Sequence, residues 1–151
     1  MRYPIRSCLL IATVLLAPPA LAEGSPQPVK LDRDQLAGQA FASRSAIAQE
    51  EKSERGTFRT EDYIAFMASD RKLEGGVYRA GPNRYTFTEA YGVDEFMYFL
   101  EGGVKLTSSD GQVIDVHAGE AVIIPREWKG VWDTDGYTKI YVIYSQESLK
   151  D

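Results

Sequence analysis

Glu95 opens the stretch DEFMYFLEGG, residues 94 to 103, where a single carboxylate heads an aromatic run that ends in two glycines. A carboxylate set among apolar side chains holds a metal ion, moves a proton, anchors a polar ligand, or is neutralised by a nearby Lys, Arg or Tyr. Toward the C-terminus, TKIYVIY places Lys139, Tyr141 and Ile143 on one face of an extended strand and Ile140, Val142 and Tyr144 on the other. If the first face points inward, Lys139 neutralises Glu95 or meets an anionic ligand; if outward, it is a solvated charge.

Trp128 and Trp132 flank the short segment KGV. They can form a stacking platform for a sugar or another planar ligand, or they can fill space as core. Arg84 and Tyr91, with Arg79, precede Glu95 on predicted strands and can rim the same opening, the alternative for each being a surface side chain. The catalytic vocabulary beyond these residues is small. His117 is the sole histidine and Cys8 the sole cysteine in 151 residues. His117 ends QVIDVH just before an Ala-Gly turn, the position of an exposed turn residue. There is no Ser/His/Asp set, phosphate loop or dinucleotide fingerprint.

The elements that must position these residues are strands. In DEFMYFLE, alternation puts Glu95, Met97 and Phe99 on one face and Phe96, Tyr98 and Leu100 on the other. Neither face is polar enough to meet water along its length. The inner cover expected is a barrel interior, and the outer one an N-terminal arm or a second subunit. From about Thr57 the sequence runs in short stretches rich in Tyr, Phe, Val, Ile and Thr: FRTEDYIAFM, GVYRA, RYTFTE, VDEFMYFLE, GVKLTS, QVIDV, AVIIP, GVWD and TKIYVIY. Strands this short and this closely spaced predict an all-β sandwich or barrel. Turn chemistry falls at residues 80 to 83, 108 to 111, 117 to 120 and 133 to 136.

The beginning of the chain has a different texture. Arg2 and Arg6, an apolar run from Cys8 to Ala17 and the small-residue sequence Ala20-Leu21-Ala22 form a secretory signal peptide with cleavage expected after Ala22. The run is shorter than the roughly 20 residues needed to span a bilayer. The mature chain is therefore expected in the periplasm or outside the cell, with no membrane attachment after cleavage. It retains 129 residues, enough for one domain. It has no cysteine, and 15 basic against 22 acidic side chains give it a formal charge of −7. That balance argues against a nucleic-acid partner. Residues 23 to 56 are expected to be an N-terminal arm, polar at first and then either partly helical from a cap at Asp32 or extended along the domain. Residues 57 to 151 would form the main domain.

Two motifs carry a resemblance to the cupin superfamily. Glu95, six residues and Gly102 match the end of the first cupin motif, and Gly119, EAVII and Pro125 match the start of the second. EFMYFLEGGVKLT, AGEAVIIPREWKGVWDT and KIYVIY resemble the branch named after ureidoglycine aminohydrolase, over roughly residues 74 to 145. The resemblance implies a single jelly-roll β-barrel. It also implies a metal held by two histidines, Glu95 and a third histidine. Those histidine positions fall on Thr88 and Ala90, or on Glu89 and Tyr91 with the shorter spacing, and on Gly130. Of these ligands only Glu95 is clearly present, and borderline metals favour imidazole over a lone carboxylate. No cofactor is predicted, although Glu89 with Glu95 could offer a hard divalent ion a weak oxygen-rich site.

The expectation is an exported, homodimeric cupin jelly roll that binds a small polar organic molecule, without a tightly bound metal, through Glu95, Lys139, Tyr141, Trp128, Trp132, Arg84 and Tyr91. The alternatives are a small-metabolite enzyme of aminohydrolase or isomerase type, in which Glu95 would be the first catalytic candidate, and a non-catalytic interaction module.

Overall fold

The computed structural model describes residues 27–149 of the chain. The segment assigned to a signal peptide, residues 1 to 22, lies outside the described residues. The all-β expectation holds. Nine strands form one continuous antiparallel sheet: β1 (Ile47–Ser53), β2 (Gly56–Met67), β3 (Leu73–Ala80), β4 (Asn83–Phe87), β5 (Asp94–Ser108), β6 (Val113–His117), β7 (Ala121–Ile124), β8 (Gly130–Thr134) and β9 (Tyr137–Tyr144). The order is β1-β2-β3-β9-β5-β8-β4, and β6 and β7 also pair with β5. All four predicted turns fall at connections between these strands.

Two sequence stretches, VDEFMYFLE and GVKLTS, form the single long strand β5. Its first half, to Gly102, pairs with β9, while Gly103 onward pairs with β6. Gly102 makes the corner. Its φ is +67°, a conformation that side chains with a Cβ rarely adopt, and a β-carbon there would collide with the Gly136 carbonyl. The sheet curls so that its edges meet, with Glu54 N donating to Arg84 O at 3.0 Å across the ends of β1 and β4.

Alternation along β5 turns Met97 and Phe99 inward, both fully buried, and leaves Phe96 and Tyr98 on the outer face. With Leu106, Val116, Ile124 and Trp132 they form the core. Each such side chain contributes about 1.5–3 kcal/mol on burial.

In the N-terminal region, Asp32 caps a one-turn helix, α1 (Arg33–Leu36), through a reciprocal box with Gln35. A 3₁₀ turn (Gln39–Ala42) follows, and β1 then joins the sheet. Gln35 Nε2 donates to the Tyr63 hydroxyl at 3.4 Å, and the Phe41 ring lies 4.5 Å from the Arg79 guanidinium. These contacts place α1 and the 3₁₀ turn over the outer face at β2 and β3.

Candidate functional site

The site is built on the two central strands. β5 and β9 pair so that Met97 lies opposite Tyr141 and Phe99 opposite Lys139. The inward faces therefore carry Glu95 beside Lys139. Lys139 Nζ lies 2.6 Å from Glu95 Oε1 and 3.1 Å from Met97 Sδ. Glu95 is 2% exposed and Lys139 6%. The second carboxylate oxygen of Glu95 accepts from the Tyr91 hydroxyl at 2.5 Å. Burial and the neighbouring carboxylate push the Tyr91 phenol well above its ordinary pKa, so it stays a donor.

Four rings surround the Lys139 ammonium: Tyr78 and Trp132 at 5.4 Å, Tyr137 at 5.5 Å and Tyr141 at 5.9 Å to their centroids. Each distance lies within the roughly 6 Å at which a ring face attracts a cation. Beyond the rings, the Tyr141 hydroxyl donates to Asp62 at 2.9 Å and approaches Glu74 at 3.4 Å. Burial raises both carboxyls; the Tyr141 hydrogen bond partly offsets this at Asp62, and Asp62 adds to it at Glu74. Glu51 accepts from Thr60 at 3.2 Å and from Tyr85 at 3.3 Å. Burial, and then Glu51, push the Tyr85 phenol up to about 12. These groups line a cavity of about 230 Å³.

Comparison with known proteins places this geometry. The family described as the EutQ-like cupin domain matches residues 83–141, from β4 into β9. The match covers the strands that carry Glu95 and Lys139, and the curled all-β sheet is consistent with a cupin jelly roll. Among solved structures, a protein of unknown function of the DUF861 family from Pseudomonas syringae pv. tomato is similar, at 18% identity and TM-score 0.58 over 67% of this chain. This chain spans 46% of that protein's length. Ectoine synthase from P. lautus is similar at 11% identity and TM-score 0.52, over 70% of this chain and 72% of that one. The Clostridium difficile EutQ protein matches at 22% identity and TM-score 0.46, over 58% of this chain and 69% of that one. No curated protein matches the sequence.

The residues present do not fit the metal of metal-binding cupins. Both Glu95 oxygens are engaged, one by an ammonium and the other by a phenol. Thr88 and Ala90 are exposed. At Gly130, where the third histidine would stand, a β-carbon would collide with the Thr107 carbonyl. Glu89 does not join Glu95: its side chain is 92% exposed and 3.8 Å from Lys129. The described residues hold no group of three or more His, Cys, Asp or Glu arranged for a metal ion.

Of the residues singled out in the sequence, Glu95, Lys139, Tyr141, Trp132 and Tyr91 line the cavity. Arg84 and Trp128 do not. Arg84 points outward from β4 to Asp133, at 2.5 Å, and to Glu54, because Asn83 and Tyr85 take the inward positions of that strand. Trp128 lies in the β7–β8 connection and donates its indole N–H to Ser108 at 3.0 Å. Its ring packs on Phe87 at 5.7 Å. Sequence reasoning passed over Glu51, Asp62 and Glu74. Asp62 left a signal: an acidic residue is unusual in a strand run unless it has a partner.

Proposed function

We propose that this cupin barrel binds a small polar organic molecule, with Glu95 as polar anchor and Tyr and Trp rings as walls. The carrying observation is the cavity itself, about 230 Å³ lined by Glu95, Lys139 and Trp132, where an interaction module would have packed its barrel solid. That volume lies just below the roughly 300–1,000 Å³ usual for ligand pockets, which limits the ligand to a small metabolite. Export follows in this reading from the basic, apolar and small-residue pattern of residues 1 to 22, and a homodimer from the apolar outer sheet face that the described residues leave exposed.

Trp132 supplies the test. The chain has two tryptophans, so Trp128→Phe leaves Trp132 as the sole indole reporter at the cavity. Sugars, uronic acids, small ureides and amines are screened by thermal shift, and hits are titrated against Trp132 emission. A saturable change that Glu95→Gln weakens is expected. Hits that leave Trp132 emission unchanged, or a screen without hits, overturn the reading.

The resemblance to ureidoglycine aminohydrolase-type cupins gives a second reading, an enzyme of aminohydrolase or isomerase type. The observation favouring it is the pair Asp62 and Glu74 sharing the Tyr141 hydroxyl at the cavity wall. Half-buried carboxyls with raised pKa values suit proton transfer.

A further inference from the structure

The charge on the cavity wall is unbalanced. Four carboxylates line it, Glu51, Asp62, Glu74 and Glu95, against one base, Lys139. Glu95 takes up that base at 2.6 Å. Among the described residues the other three make no salt bridge and take hydrogen bonds from the hydroxyls of Thr60, Tyr85 and Tyr141; Lys139 acts on Asp62 and Arg71 on Glu74 only at longer range. A neutral donor solvates a carboxylate without cancelling its charge.

Two unpartnered groups point to a ligand independently of the acids. Tyr137 is 8% exposed and lines the cavity, yet its hydroxyl makes no hydrogen bond among the described residues. Burial first, and then the neighbouring Tyr78 and Glu95, raise the pKa of that hydroxyl, so it stays a donor. Asn83 is 2% exposed and donates Nδ2 to Gly81 O at 2.8 Å, while its Oδ1 has no partner among the described residues. Neither atom is among the fully buried atoms that lack a partner, so both are open at the cavity wall to a ligand's polar hydrogens and lone pairs. The rings around Lys139 show that this wall already holds one cation.

We propose that the cavity selects a small organic cation, a protonated amine or an alkylammonium, held by the acids Asp62, Glu74 and Glu51, none of them in a salt bridge among the described residues, and by aromatic faces. The inference rests on the pocket-binding reading and narrows its ligand class. An organic cation suits these walls better than a divalent metal ion, because ring faces attract organic cations and the acids do not converge as a metal-ligand set.

Benzylamine, benzyl alcohol and benzoate separate charge from shape, since the three share a ring and differ in their polar group. Each is titrated at neutral pH into the Trp128→Phe protein by calorimetry and by Trp132 emission. Benzylamine is expected to bind about tenfold more tightly than benzyl alcohol, with benzoate weaker still. Asp62→Asn with Glu74→Gln, its fold checked by melting, is expected to bring the amine's affinity down to that of the alcohol measured on the same variant. If that variant does not fold, Glu51→Gln is expected to reduce the same advantage. Benzyl alcohol or benzoate matching benzylamine overturns the cation proposal while the pocket-binding reading stands. Silence from all three also overturns it, and the pocket-binding reading then stands or falls on the wider screen.

Discussion

Removing Lys139 strands the Glu95 carboxylate in the barrel with only the Tyr91 hydroxyl for company. Breaking a buried pair from one side typically costs about 3–5 kcal/mol, whereas replacing both members costs far less. Lys139→Met is expected to fall in that range by urea unfolding, and Glu95→Gln with Lys139→Met to recover most of the loss; additive costs would show that the two groups are not coupled. Asp62 behaves differently because its carboxyl is raised from the ordinary 3.8, chiefly by burial. The folded protein then holds a proton that the unfolded chain releases. The penalty for the buried charge is absent below the unfolded value and grows as pH rises through the folded one. Tyr141 and Lys139 on β9, Glu74 on β3 and Glu95 on β5 are the groups that set this balance. Lowering the pH from about 7 to about 4.5 is therefore expected to stabilise the parent protein relative to Asp62→Asn. Parallel stability curves for the two proteins would contradict this.

The strands that carry the site were legible wherever period two met a buried face. β5 showed it through Glu95, Met97 and Phe99, all of which turn inward. β1 was not, because its sequence IAQEEKS is polar on both faces of an edge strand and imitates a helical or extended arm. Glu51, which reaches the cavity from β1, was lost with it. The meeting of Glu95 and Lys139, 44 residues apart, depends on the register of β5 against β9. That register includes a bulge between Phe99 and Glu101, and no local pattern encodes it. For Arg84 the information was local and was outweighed by charge: alternation in NRYTF sends Asn83, Tyr85 and Phe87 to the cavity and Arg84 away from it. Trp128 lies outside any strand, so alternation says nothing of it, and only the fold gives its partner Ser108.

At the scale of the whole molecule, the described residues present an apolar surface that they themselves cover only in part. The helix α1 and the 3₁₀ turn lie over the outer face at β2 and β3, but beyond them no other described residue covers the same face across β9, β5 and β7. There Ile123 is 68% exposed and Tyr144 46%, with Phe96, Tyr98 and Val142 also exposed. Strand pairing makes them one patch, since Phe96 lies opposite both Ile123 and Val142, and Tyr144 opposite Asp94. Contiguous apolar surface of this kind usually marks an interface. A sheet face paired with its own copy about a two-fold axis buries the same residues twice, and a stable dimer needs about 800 Å² from each partner. The proposed homodimer is expected to run as a dimer in size-exclusion chromatography with light scattering. Ile123→Lys puts a charge at the most exposed point of the patch, away from the cavity, and is expected to give a folded monomer whose Trp132 ligand response is unchanged. A parent protein that is monomeric at every concentration measured would refute the homodimer, and a variant that remains dimeric would move its interface off this face.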